Sequence, residues 1–128
     1  GLSNLATMYA AGSLGLPSGL FLAVFKGVFA LVTRGGMAGL MSLSGGVVST
    51  VVMWLLLKKA NASLGVVGVC GALAHNAAQL CAAYFLTGTS VAFYVPFLVL
   101  FGVLTGLLTG LVLKLTLKPL ERLQNILK

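Results

Sequence analysis

SLGVVGVCGALAHNAAQLCAAYFLT, residues Ser63 to Thr87, carries no formal charge and holds His75, Asn76 and Gln79 near its middle. An apolar run of about 20 residues, rising 1.5 Å each as a helix, crosses the roughly 30 Å hydrocarbon core of a bilayer. Polar groups at the midpoint of such a span must find partners inside protein, because leaving them in hydrocarbon costs on the order of several kcal/mol. His75 and Gln79 stand four residues apart and share one helix face, and Asn76 widens that polar sector by about 100°. Ser63 and Asn61 are candidate caps for the start of the helix. The flanking Gly68, Gly71, Ala72, Ala78, Ala82 and Ala83 let other helices come close.

The remaining sequence extends the membrane reading. Hydrophobic residues make up 59% of the chain and charged residues 7%, with a mean hydropathy of +1.13. A soluble or disordered chain of 128 residues does not have this composition. The net charge of +7 comes from eight basic residues and a single acid, Glu121. Most of the basic residues flank apolar runs, where they meet lipid headgroups and set topology, so nucleic acid is not the implied partner. Cys70 and Cys81 lie about three turns apart on one helix and cannot bond to each other. His75 between them has no second histidine or acid nearby in sequence, and the cysteines do not stand at the usual metal-ligand spacing, so a zinc site is not expected. No basic region precedes the first apolar run, so that run is not expected to be a secretory signal, and with Gly1 as the first residue a preceding N-terminal portion is expected.

Four further runs follow the same logic. Leu2 to Leu16 is helical in pattern, short for a span, and closed by Gly15 and Pro17, with Gly1, Ser3, Ala6, Ala10 and Ser13 giving it small faces. Asn4 in this run is either a cap or interfacial group, or a pocket-lining one. The second run, with Ser18 as N-cap, extends to Arg34 and places Lys26 near its middle. A mid-span lysine snorkels, joins an interior polar network or serves a ligand. Arg34 to Gly39 is expected to be a glycine-rich loop or a re-entrant, broken helix. Leu40 to Leu57 is the third run, with Ser42, Ser44, Gly45 and Gly46 in its small first half and Lys58 and Lys59 at its end. Pro96 to Leu113 is the last, with Gly102, Gly106 and Gly110 as a packing stripe, and residues 114–128 form a basic amphipathic tail.

The expected architecture is thus all-α and polytopic: one integral membrane domain over residues 1–128, five visible helices of a six-helix bundle whose first helix precedes Gly1. The distribution of lysine and arginine puts Lys58, Lys59 and the C-terminus in the cytoplasm and Arg34 outside.

The phrases GLSNLATMYA, LMSLSGGVVSTVVMWLLLKK, GALAHNAAQLCAAYFL and YVPFLVLFGVLTGLLTGLVLKLTLKPL resemble the bacterial Gx transporter membrane family, which also carries the label heptaprenyl diphosphate synthase component I. That family is similar to the substrate-binding S components of energy-coupling factor transporters. The resemblance implies a six-helix S-component-like bundle in the bacterial cytoplasmic membrane, partnered by energy-coupling transmembrane and ATPase subunits. It makes Asn4, Lys26, Ser44, His75, Asn76 and Gln79 characteristic positions, with Lys26 standing where an arginine is expected. The implied function is capture of a small molecule, such as a vitamin, a cofactor precursor or an isoprenoid-related compound, in a pocket bounded by the second and fourth runs and opening toward Arg34. The alternative is a non-catalytic membrane accessory of heptaprenyl diphosphate or menaquinone biosynthesis, whose partner is a prenyl synthase subunit. Neither reading makes this chain an enzyme or gives it a cofactor. Prenyl elongation holds Mg²⁺ diphosphate on aspartate-rich motifs, and this chain contains no aspartate.

Overall fold

The computed structural model describes residues 2–88 and 92–127, with side chains for 4–88 and 92–118. Helix α1 (Leu2–Tyr9) continues into a π-helical turn (Ala10–Leu14). The long helices α2 (Leu16–Arg34), α3 (Gly36–Lys58), α4 (Leu64–Thr87) and α5 (Val95–Leu127) follow, with a 3₁₀ turn at Ala92–Tyr94 leading into α5. All four long helices are long and apolar enough to cross a membrane. The chain is therefore an all-α, multi-span membrane protein. The six-helix S-component bundle with a helix ahead of Gly1 is not supported by these elements. Gly1 and the side chains of Ser3 and of residues 119–128, Glu121 among them, lie outside the described residues.

The side-chain distribution fits lipid as the surrounding solvent. Large apolar groups such as Phe21, Phe25, Val32, Phe85 and Leu115 are exposed, while the interior holds Ala23, Ala30, Ser49, Thr50 and glycines. Lipid tails are as apolar as leucine, so helices gain little by hiding large side chains from them. They gain by close contact, and small residues make that contact possible. Ser49 and Thr50 return their hydroxyls to the Gly46 carbonyl at 3.1 and 2.6 Å, so their burial leaves no donor unmet.

Neighbouring helices pack in chain order: α2 on α3, α3 on α4, α4 on α5. Between α2 and α3 a methyl group at Gly39 would stand 2.8 Å from the Leu31 Cα, and one at Gly27 would stand 3.1 Å from the Leu43 Cα. Gly35 alone makes the turn between these helices, at φ 98°, a conformation that favours glycine. The stretch after Arg34 is thus helical from Gly36 onward. The expected loop or re-entrant segment shrinks to one residue, because a single left-handed glycine suffices to reverse the chain. Helix α3 runs unbroken through Gly45 and Gly46. Gly15, at φ 104°, occupies the N-cap position expected of Ser18, and Pro17 falls in the first turn, where its missing N–H costs nothing. Ser63 does cap α4, its hydroxyl accepting from the Val66 N–H at 3.4 Å.

The α4–α5 seam is the tightest. A methyl group at Gly68 would overlap the Gly106 carbonyl oxygen, one at Gly106 would lie 2.5 Å from the Val69 Cα, and one at Gly110 would lie 2.5 Å from the Leu64 carbonyl oxygen. Further along the seam, Asn76 Nδ2 donates to the Leu98 carbonyl at 3.0 Å. Helix α5 continues without a break past Lys114 and Lys118 to Leu127, about 50 Å in all and longer than the bilayer core is thick.

Helix α1 differs from the others. With its π turn it is only about 20 Å long. It fills one end of the bundle, where Met8 joins Met53, Val67 and Leu113 in the apolar core near Lys58.

Gly106→Ala is expected to force α4 and α5 apart and cost about 1–3 kcal/mol. The thermal loss of the monodisperse peak in detergent measures this, and an unchanged transition contradicts the packing described. Asn76→Leu is expected to cost about 1 kcal/mol by the same measurement, the usual worth of an interhelical hydrogen bond in a membrane.

Candidate functional site

Helices α2 and α4 both pack on α3, and among the described residues they do not pack on each other. At the Lys58 end α1 fills the gap between them. At the Arg34 end no described residue does, and a cavity of about 490 Å³ lies there. Helix α2 contributes Lys26, Phe29, Ala30 and Arg34, α3 contributes Ala38, Met41 and Ser42, and α4 contributes His75 and Gln79. The spacing along α2 follows one helix face, at three, four and eight residues from Lys26.

Lys26 stands near the middle of α2 and His75 near the middle of α4, so the inner end of the cavity lies at mid-membrane depth. Lys26 Nζ donates to Asn4 Oδ1 at 3.5 Å. Asn4 is buried near the start of α1, and its own carbonyl accepts from Thr7 Oγ1 at 3.0 Å. The short first helix thus positions the cation. Asn4 does not line the cavity. It stands behind Lys26 as a holding group.

On α4, His75 and Gln79 face α3 at Gly45. A methyl group there would sit 2.9 Å from both His75 Nδ1 and Gln79 Cγ. Glycine at this position is what lets the imidazole and the amide lie against α3. His75 Nδ1 is buried there with no hydrogen-bond partner in good geometry among the described residues. Gln79 lies one turn closer to the mouth, and Arg34, at the end of α2, is exposed there.

Two expected site residues point elsewhere. Ser44 Oγ donates to the Met41 carbonyl at 3.0 Å and does not line the cavity. The α3 face that does line it runs through Ala38, Met41 and Ser42 toward Gly45, and Ser44 lies about 100° off that face. Ser42 takes the place expected of Ser44. The helical spacing back from Gly45 is the signal that identifies it. Asn76 is turned to α5 and bonded to Leu98, outside the cavity. The cavity is bounded by the third run as well as by the second and fourth.

Chemically, the lining offers donors and two formal positive charges, Lys26 and Arg34, and among the described residues no carboxylate. Among the described residues no group of three histidine, cysteine or acidic side chains stands together as a metal site, and both cysteines are free thiols. The arrangement suits holding an anion in place.

The family model described as heptaprenyl diphosphate synthase component I matches residues 1–116. No curated protein and no solved structure matches the chain. The family match overturns the transport reading: the chain is not assigned to an S-component transporter family, and the uptake function and energy-coupling partners drawn from that resemblance fall with it. As a component I chain it is a non-catalytic partner and not the enzyme itself. The chain belongs to the heptaprenyl diphosphate synthase component I family.

Proposed function

We propose that this chain is the membrane-embedded accessory subunit of a prenyl diphosphate synthase, and that it holds a separate catalytic subunit against the bilayer. The family match carries this reading. The chemistry of the product supports it. Each added methylene of a prenyl chain favours lipid by about 0.8 kcal/mol, so the elongating product partitions into the membrane as it grows. A catalytic subunit tethered there delivers its product without releasing it to water.

The charge pattern supports one orientation. Lys58 ends α3 and Lys59 follows it, at the same end of the bundle as Lys114 and Lys118 on α5, and all four are exposed. Arg34 is at the opposite end. The positive-inside bias therefore favours the Lys58 end as the cytoplasmic side of a bacterial cytoplasmic membrane, with the C-terminus on that side. The catalytic subunit, whose substrates are water-soluble diphosphates, docks on this basic end in our reading.

Co-expression with a catalytic prenyl synthase subunit of the same organism tests the proposal. The catalytic subunit is expected to co-purify from solubilised membranes, and Lys58→Glu with Lys59→Glu is expected to weaken its retention about tenfold. A catalytic subunit that stays in the soluble fraction, together with unchanged prenyl product when this chain is removed, contradicts it.

A further inference from the structure

The cationic cavity does not stand alone. An apolar groove of about 330 Å³ runs along α1 and α2, lined by Ala6, Thr7, Leu22, Phe25, Lys26 and Phe29. Cavity and groove meet at Lys26 and Phe29, which line both. Phe25 and Phe29 are 63% and 61% exposed, so the groove lies open on the lipid-facing side of α2. A polar chamber inside the bundle thus adjoins a hydrocarbon-lined path on its surface.

The two parts call for opposite chemistries in one ligand. The chamber offers the Lys26 ammonium, the Arg34 guanidinium and the Gln79 amide, and none of its described lining residues is an acid. Charge-assisted hydrogen bonds from lysine and arginine to phosphate oxygens are strong, and the low dielectric at this depth strengthens them further. Lys26 and Arg34 are about 12 Å apart along the helix axis, a distance that two long side chains narrow by reaching toward each other. The groove offers two aromatic rings and a leucine, which suit a branched hydrocarbon chain. A free inorganic anion uses only the chamber, and a neutral lipid uses only the groove.

We infer that chamber and groove together bind one amphiphilic phosphate-type anion, with its head at Lys26, Arg34 and Gln79 and its chain leaving past Phe25 and Phe29 into the bilayer. Both a prenyl diphosphate and an anionic phospholipid have this chemistry. The assignment to a prenyl diphosphate rests on the function proposed above. The cavity then holds the head of a membrane-borne isoprenoid within the bundle, at the end opposite the docking face proposed above.

The test uses the purified full chain in phosphatidylcholine nanodiscs with tritiated farnesyl diphosphate as probe. Saturable binding is expected, with inorganic diphosphate and farnesol each displacing the probe about tenfold less well than unlabelled farnesyl diphosphate. Lys26→Gln and Arg34→Gln are each expected to weaken binding about tenfold, and Phe25→Ala is expected to weaken farnesyl diphosphate but not inorganic diphosphate. Arg34 and Phe25 are exposed, so these variants keep the test decisive if Lys26→Gln fails to fold. Absence of saturable binding, or affinity unchanged by Arg34→Gln and Phe25→Ala, overturns the inference. Displacement by phosphatidylglycerol as effective as by farnesyl diphosphate gives the site to bilayer lipid and overturns the prenyl assignment. A chain that captures a catalytic subunit but binds no farnesyl diphosphate keeps the proposed function and loses this inference, and the converse pair of results does the reverse.

Discussion

At Gly68 the carbonyl oxygen of Gly106 occupies the place where a side-chain methyl group would stand, and the same intimacy recurs at Gly110 against Leu64 and at Gly39 against Leu31. In a bilayer, where apolar surface gains little by being hidden, such contacts hold helices together. They also fix which faces turn inward. With α5 locked to α4 through its glycine stripe, α4 presents His75 and Gln79 to α3. Gly45 then leaves these side chains the room that any other residue would take. The polar centre of the membrane is thus set by residues that have no polar side chain.

The cavity lies where the described helices leave a gap. Helices α2 and α4 lie on either side of α3, and α1 packs between them at the Lys58 end, where Met8 joins the apolar core. Asn4, near the start of the described part of α1, holds Lys26 at the inner limit of the chamber.

Much of this was legible from the residue pattern, and the failures have physical reasons. The four long spans follow from apolar runs of bilayer length, and the α4–α5 seam follows from glycines every four residues. Lys26, His75, Gln79 and Arg34 line one cavity. For the mid-span Lys26, His75 and Gln79 the cost of burial in lipid pointed away from the lipid face, whereas Arg34 was read only as the outward end of its span, toward which the pocket opens. Asn76 could not be separated from its neighbours, since only the register of α5 puts the Leu98 carbonyl within its reach. Ser44 entered through the family resemblance, and sequence alone does not say which face of a nearly uniform helix turns inward. The glycines after Arg34 suggested a loop, yet glycine in a membrane helix also serves close packing, and Gly39 does that against α2. The transport reading extended a family likeness beyond what polar groups in a bundle can specify, because a binding cavity serves retention as well as passage.

The central claim is that the polar side chains border a chamber reached from the Arg34 end and do not pack against lipid. Thiol labelling tests it most directly, in a chain carrying Cys70→Ala and Cys81→Ala, with a membrane-impermeant maleimide. Ser42→Cys, on the chamber wall, is expected to react, and Ser44→Cys, one position off that face, is expected to stay inert. An inert Ser42→Cys, or equal reaction at both positions, contradicts the claim.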